Sequence, residues 1–276
     1  MGSGTEGGAT AVASGEEGTV RVSVEAGVAV LTLDRPERHN TLTLHLAREL
    51  GRQVAALGAR DDVRVLVVRG AGEAAFCAGL DIAAIDPDEP VGADGMVEAD
   101  RALDGAFRAI EACERPVIAA IGGHCIGGGF ELAMACDLRV AAPRATFRMP
   151  PARLGWAYSL SGLDRFVSAV GAARARRLFL AGERLDAERA AAWGILDRVD
   201  ADWLGAATTL AAGIAEAAPL ALAGLKQGIA ALARRPVAEA DWERHVALRR
   251  RALASDDLRD ARAAFLERRA PVFRGR

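Results

Sequence analysis

The sequence predicts an α/β core followed by a helical C-terminal part, and three observations carry that expectation. Short apolar runs of strand type, Val20–Val24, Val28–Leu33, Val63–Arg69 and Val117–Ile121, alternate with helix-patterned segments as far as Met149. From Ser159 onward the pattern is almost purely helical and rich in alanine. Between the two, the apolar run that begins at Val117 meets Gly127-Gly128-Gly129 and a helix-like segment with Glu131 inside its first turn.

Taken in order, residues 1–18 are rich in Gly, Ser and Glu and predict a disordered tail. Val20–Val24 and Val28–Leu33 alternate around Ala26-Gly27, the pattern of a hairpin. Pro36 ends the second strand, and Asn40 or Thr41 is the expected cap of a helix whose Leu46, Leu50, Val54 and Leu57 recur at helical spacing. After the strand over 63–69, a loop leads through Ala75–Ile82 to an acidic, Pro- and Gly-broken surface loop over 87–95. A helix with Leu103, Phe107 and Ile110 inward runs to Cys113, Pro116 opens the central strand, and short strands are expected over 138–141 and 146–149. Helices are then expected over 161–169, 172–180, 187–192, 201–217, 220–233, 237–253 and 256–268, with a brief strand near 197–199. The domain reading is a tail (1–18), a core (19–200) and a helical region (201–276).

The 276 residues carry a formal charge of −2, which gives no electrostatic case for nucleic acid. Most of the arginine pairs and the triplet Arg249–Arg251 are interspersed with acids and read as solvated helix faces, with a phosphorylated small molecule as the alternative partner for a few. Cys77, Cys113, Cys125 and Cys136 lack C-x-x-C spacing, which predicts free buried thiols in a reducing, cytoplasmic setting. The four histidines are scattered without metal spacing, so no metal is expected. No segment has the pattern of a signal peptide. The run from Val117 to Cys136 is interrupted by His124, Glu131 and glycines, which predicts a core rather than a membrane span.

The chemistry concentrates at the glycines. Helix-opening N–H groups have no intrahelical partner and suit an anion or a developing oxyanion, and glycines leave them bare. Tight helix-on-strand packing is the other reason for such a run. Glu131, flanked by Phe130, Leu132, Ala133 and Met134, is expected to be partly desolvated, with its pKa raised as general acid/base work requires; the alternative is a solvated first-turn glutamate on the helix dipole.

Four pieces in order then carry a resemblance: Asp34-Arg35-Pro36 with Asn40-Thr41-Leu42, Ala75-Phe76-Cys77-Ala78-Gly79-Leu80-Asp81, Gly127-Gly128-Gly129-Phe130-Glu131-Leu132-Ala133 with Cys136-Asp137, and Ala264-Phe265-Leu266-Glu267-Arg268-Arg269. From about residue 20 to the end the chain resembles the crotonase (enoyl-CoA hydratase/isomerase) superfamily. The resemblance implies a crotonase-like spiral of ββα units, a helical C-terminal region that builds trimers or dimers of trimers, and a coenzyme A thioester as substrate rather than a separate cofactor. It implies that the amides of Leu80 and Gly128 form an oxyanion hole, with Ala78, Asp81 and Gly127 beside the substrate. Arg268 matches a basic position that meets the CoA phosphates of a neighbouring subunit, and a cation at a helix C-terminus explains it equally well.

Family members that hydrate enoyl-CoA use two glutamates. Glu131 matches the first, whereas Pro151 holds the place of the second and cannot transfer a proton. The stretch around it, Phe147-x-Met149-x-Pro151-x-x-Leu154-Gly155-x-x-Tyr158, resembles the methylmalonyl-CoA decarboxylase branch, in which a tyrosine sits near the substrate carboxylate. Tyr158 matches it and is the chain's only tyrosine. That branch can carry a histidine where Leu80 stands. Three functions therefore enter as expectations: a lyase that decarboxylates a 2-alkylmalonyl-CoA with Glu131 and Tyr158 as catalytic residues, an enoyl-CoA hydratase or isomerase using Glu131 alone, and a non-catalytic acyl-CoA binder.

Overall fold

The structure, a computed structural model, describes residues 17–82, 93–233 and 254–271, together with 243, 246, 247 and 250. Nearly all of the expected tail, the acidic loop as far as residue 92 and most of the helix expected over 237–253 lie outside the described residues.

Strands β1 (Thr19–Glu25) and β2 (Val28–Asp34) form the expected hairpin, with Glu25 opposite Val28. Its two-residue turn places Ala26 at φ 47° and Gly27 at φ 79°, the paired positive values that suit the twist of such hairpins. Helix α1 (Leu44–Gly58) follows and buries Leu46, Leu50, Val54 and Leu57. Its cap is Thr43, whose hydroxyl accepts from Leu46 N–H at 3.0 Å, rather than the expected Asn40 or Thr41. Asn40 instead stands at φ 55° and ties three backbone segments together. Its side chain accepts from Arg35 N–H and donates to the carbonyls of Ala71 and Ala75.

The chain then winds as a spiral. Strands β3 (Val65–Gly70) and β4 (Ala75–Cys77) precede helix α2 (Ala93–Ala112); β5 (Val117–Ile121) and β6 (His124–Ile126) precede α3 (Gly128–Ala135). Strands β7 (Leu138–Ala141) and β8 (Thr146–Arg148) precede α4 (Leu160–Phe179). The first strand of each turn joins a large sheet and the second a small one. With β9 (Arg184–Asp186) and β10 (Arg198–Val199), the sheets run β1-β2-β3-β5-β7-β10 and β4-β6-β8-β9. Apart from the pairs β1/β2 and β8/β9, the neighbours are parallel. The three-residue strands β4 and β9 are absent from the sequence expectation. Both are too short to show a period and exist only through their partners.

Alternation along each central strand divides the core in two. Leu66, Val68, Val117, Ala119 and Ile121 join the main cluster with the inward faces of α1, α2 and α3. Val65, Val67, Ile118, Ala120 and Val140 face the other way, onto Trp203, Ala206, Ala207 and Ala211 of helix α6 (Trp203–Ala215). Parallel strands covered on both faces read as the near-continuous apolar runs seen in the sequence. Helix α5 (Ala187–Ala192) lies between β9 and β10, and α7 (Pro219–Ala233) and α8 (Asp256–Glu267) complete the helical part. Gly171, at φ 76° and ψ 158°, breaks α4 where two helices were expected. Lys226 anchors α7 to the core through Asp137 at 2.7 Å and the carbonyls of Ile110 and Arg115. Among the described residues no single helix is long and apolar enough to cross a membrane.

Candidate active site

Past the end of β4 the chain runs through Ala78 and Gly79 to Leu80, which forms a parallel bridge with Leu42. In that bridge the Gly79 carbonyl accepts from Leu42 N–H at 2.7 Å, and Asp81 N–H donates to the Leu42 carbonyl at 2.9 Å. Successive extended residues alternate in direction, so Leu80 N–H faces the opposite side. Beyond β6, Gly127 adopts φ 54° and ψ −123°, and its carbonyl accepts from Glu131 N–H in the first bond of α3. Gly128 is the first residue of that helix, so its N–H is one of the orphan donors.

The two amides are neighbours. A Cβ built on Gly79 would lie 3.2 Å from Gly128 N, and one built on Gly128 would lie 3.6 Å from Leu80 N. Among the described residues neither N–H has an acceptor, and Leu80 and Gly128 line one cleft of about 740 Å³, counted to its open mouth. Gly129 has a different task. A Cβ there would meet the Cys77 carbonyl oxygen at 2.1 Å, so this glycine lets α3 rest directly on β4. Packing therefore accounts for Gly129, whereas Gly128 leaves its N–H open to the cleft.

Glu131 lines the same cleft and is only 6% exposed, which removes the solvated alternative. Its Oε2 accepts from the Tyr158 hydroxyl, and its Oε1 accepts from Arg165 Nη1 at 2.7 Å. Burial pushes the carboxyl above its ordinary value against the pull of Arg165 and of the Tyr158 hydrogen bond, and Asp104 adds to the rise. The Tyr158 phenol is pushed well above its usual range by burial and by the adjoining carboxylate. Its ring packs edge-on against Phe179 at 5.3 Å, while Phe130, beside Glu131, packs against Phe147 and Phe166.

Arg165, which sequence reasoning missed, organises the acids around this pair. Its side chain is 8% exposed and forks onto Glu111 at 2.6 and 3.1 Å, reaches Asp104 at 3.2 Å, and lies over the Phe107 ring. Despite burial, the Glu111 hydrogen bond and the surrounding carboxylates keep its guanidinium more firmly protonated than usual. Asp104, Phe107 and Glu111 are spaced along one face of α2, and that spacing was the available signal.

Pro151 lines the cleft and opens a 3-10 turn, Pro151–Leu154. Ala78 and Gly127 line it as well. Asp81 does not; its buried carboxylate turns to the Arg35 guanidinium at 2.5 Å. Arg268 is also absent from the cleft lining; it is the exposed, left-handed C-cap of α8 at φ 55°. All four cysteines are free and buried, and burial pushes the thiols of Cys77 and Cys136 up to about 12, so neither supplies a thiolate near neutral pH. Among the described residues no group of three or more His, Cys, Asp or Glu is arranged to hold a metal ion.

Comparison with known proteins places this site in context. The family model described as enoyl-CoA hydratase/isomerase matches residues 23–276. A probable enoyl-CoA hydratase of Mycobacterium tuberculosis is 37% identical, covering 92% of this chain and 99% of that protein. Carnitinyl-CoA dehydratase of Escherichia coli K12 is 35% identical, covering 94% and 99%. The crystal structure of methylmalonyl-CoA decarboxylase complexed with 2S-carboxypropyl-CoA superposes with a TM-score of 0.86 at 29% identity, covering 93% of this chain and 98% of that one.

Proposed function

The chain belongs to the enoyl-CoA hydratase/isomerase family, and from that premise we propose that it is a lyase that works on an acyl-CoA thioester through an enolate. The observation that carries this reading is the meeting of the Leu80 and Gly128 amides with the Glu131–Tyr158 pair in one cleft. The thioester oxygen accepts from both amides. As an electron pair moves onto that oxygen, each preorganised donor contributes roughly 3–4 kcal/mol to the transition state.

The finer proposal is decarboxylation of a 2-alkylmalonyl-CoA. The bond between the α-carbon and the carboxylate breaks, its electron pair enters the enolate and CO2 leaves. The α-carbon then takes a proton held between Glu131 and Tyr158, and solvent restores that proton. Two things support the proposal. Pro151 lines the wall where a second acid would be needed for hydration, and the fold is similar to methylmalonyl-CoA decarboxylase. The cleft's task is to hold the departing carboxylate out of the thioester plane and away from water.

A second reading, hydration or double-bond migration with Glu131 as the one acid/base, is favoured by the acids of the cleft. Asp100 and Asp104 line it together with Glu131, an unwelcoming surround for an acyl carboxylate. The names of the hydratase and dehydratase relatives point the same way. In either reading the exposed Leu220, Leu225 and Ile229 of α7 support self-association; a trimer or a dimer of trimers, with Arg268 directed to a neighbour's CoA phosphates, is proposed from the family resemblance.

The test is a panel of CoA esters followed by mass spectrometry, which separates loss of CO2 from gain of water. CO2 from methylmalonyl-, ethylmalonyl- or malonyl-CoA supports the first reading. Water added to a crotonyl-type ester, or its double bond moved, with no CO2 from any malonyl ester, replaces it with the second. Tight binding without turnover of any ester overturns both in favour of a binder.

A further inference from the structure

The Glu131 carboxylate is held asymmetrically. One oxygen, Oε1, is taken by Arg165 Nη1 at 2.7 Å, and the other, Oε2, by the Tyr158 hydroxyl. The Arg165 cation is itself shared among Glu131 on α3 and Asp104 and Glu111 on α2, so one guanidinium faces three carboxylates in a largely buried place. Asp104 is held from outside by Arg108 at 2.5 Å, and Asp100 lines the cleft one helical turn earlier. Among the described residues, these groups and Tyr158 are the charged and titratable neighbours around Glu131.

We propose that Arg165 is a positioning residue for this site: it pins Oε1 and leaves Oε2, shared with Tyr158, as the oxygen that exchanges a proton with the acyl chain, while Asp104 opposes it from α2. The inference rests on the proposed enolate chemistry. A planar fork anchored on Glu111 fixes the guanidinium in orientation, so its Nη1 fixes the carboxylate plane. A carboxylate bound at only one oxygen would rotate, and its second oxygen would not stay with the phenol. The two opposed influences on Glu131 have opposite signs: Arg165 favours the ionised form and Asp104 disfavours it.

The test uses the full chain and two readouts. Tyr158 is the only tyrosine, so protein grown with tyrosine labelled at 13Cζ gives one resonance, and its shift follows the titration of the carboxyl it donates to. Relative to wild type, Arg165→Met should move that midpoint up by about one pH unit or more, and Asp104→Asn should move it down. Arg165→Lys, which keeps the charge, should move it less than Arg165→Met does. The pH–rate profile of whichever CoA ester the wild type uses should shift in the same two directions. At fixed pH the Arg165 variants should lose kcat about tenfold or more with little change in KM, because Arg165 holds Glu131 and is absent from the cleft lining. A merely structural arginine would lower activity in both variants without opposed shifts, and that result overturns the proposal. So does an unmoved midpoint in Arg165→Met. If Arg165→Met does not fold, an unmoved or raised midpoint in Asp104→Asn overturns it and a lowered one supports it. The resonance needs no turnover. A wild type inactive on every ester therefore sinks the enolate reading and leaves the arrangement of Arg165, Glu131 and Tyr158 to be judged by the titration alone.

Discussion

Replacing Gly128 and Gly129 by alanine, one at a time, should separate activity from stability. At Gly129 the new methyl would stand 2.1 Å from the Cys77 carbonyl oxygen and 2.7 Å from its carbon, and β4 cannot retreat without breaking its ladder with β6. Overpacking typically costs about 1–3 kcal/mol, and a backbone obstacle puts this site at the upper end. A loss of about 3 kcal/mol lowers the melting temperature by roughly 6–12 °C in a domain of this size. At Gly128 the nearest atom to the new methyl is Leu80 N at 3.6 Å, an ordinary contact, and as the first helical residue the position accepts alanine. Gly128→Ala should therefore fold as well as wild type. Its methyl, however, stands beside Leu80 N at a cleft-lining position, and under the proposed enolate chemistry turnover should fall about 100-fold or more, comparable to losing one oxyanion donor. Urea unfolding at constant m-value, paired with CoA-ester turnover, reads both quantities. If Gly129→Ala unfolds at the wild-type urea concentration, or Gly128→Ala loses as much stability as Gly129→Ala, the division of labour between these glycines is wrong.

Two further outcomes follow from the same geometry. The folded-state pKa of Glu131 is raised above 4.5, so its contribution to stability is fully present below that value and is lost as pH rises through the folded-state pKa. The stability difference between wild type and Glu131→Gln, measured by urea unfolding across that range, should shift against wild type with rising pH; a flat difference would contradict the burial described. Thr43→Ala should cost about 1 kcal/mol by removing the α1 cap, and a loss near zero in thermal unfolding would show that Leu46 N–H finds another acceptor.

What the sequence disclosed was what short-range chemistry determines. The hairpin followed from Ala26-Gly27 and the inward face of α1 from Leu46, Leu50, Val54 and Leu57, and the break expected between 169 and 172 falls at Gly171. Leu80, Gly128, Glu131 and Tyr158, which the motifs single out, line one cleft. The remainder depends on distant partners. Asn40 looked like a cap because its type suits one, but the carbonyls it serves at Ala71 and Ala75 lie more than thirty residues on. Asp81 sat inside a motif, yet its direction is set by Arg35. Arg165 looked like any arginine on an amphipathic helix. Only the approach of α2 and α3 turns it into the hub of three carboxylates.

Leu80 and Gly128 follow the ends of β4 and β6, which are adjacent rungs of one parallel ladder. The strands that lead to them lie at the ladder spacing of about 4.8 Å, which no side chain sets. Substitutions along the cleft wall can reshape the acyl compartment and leave that gauge unchanged. In a lineage descended from this scaffold, the acyl compartment is free to drift while the strands that carry Leu80 and Gly128 keep their pairing.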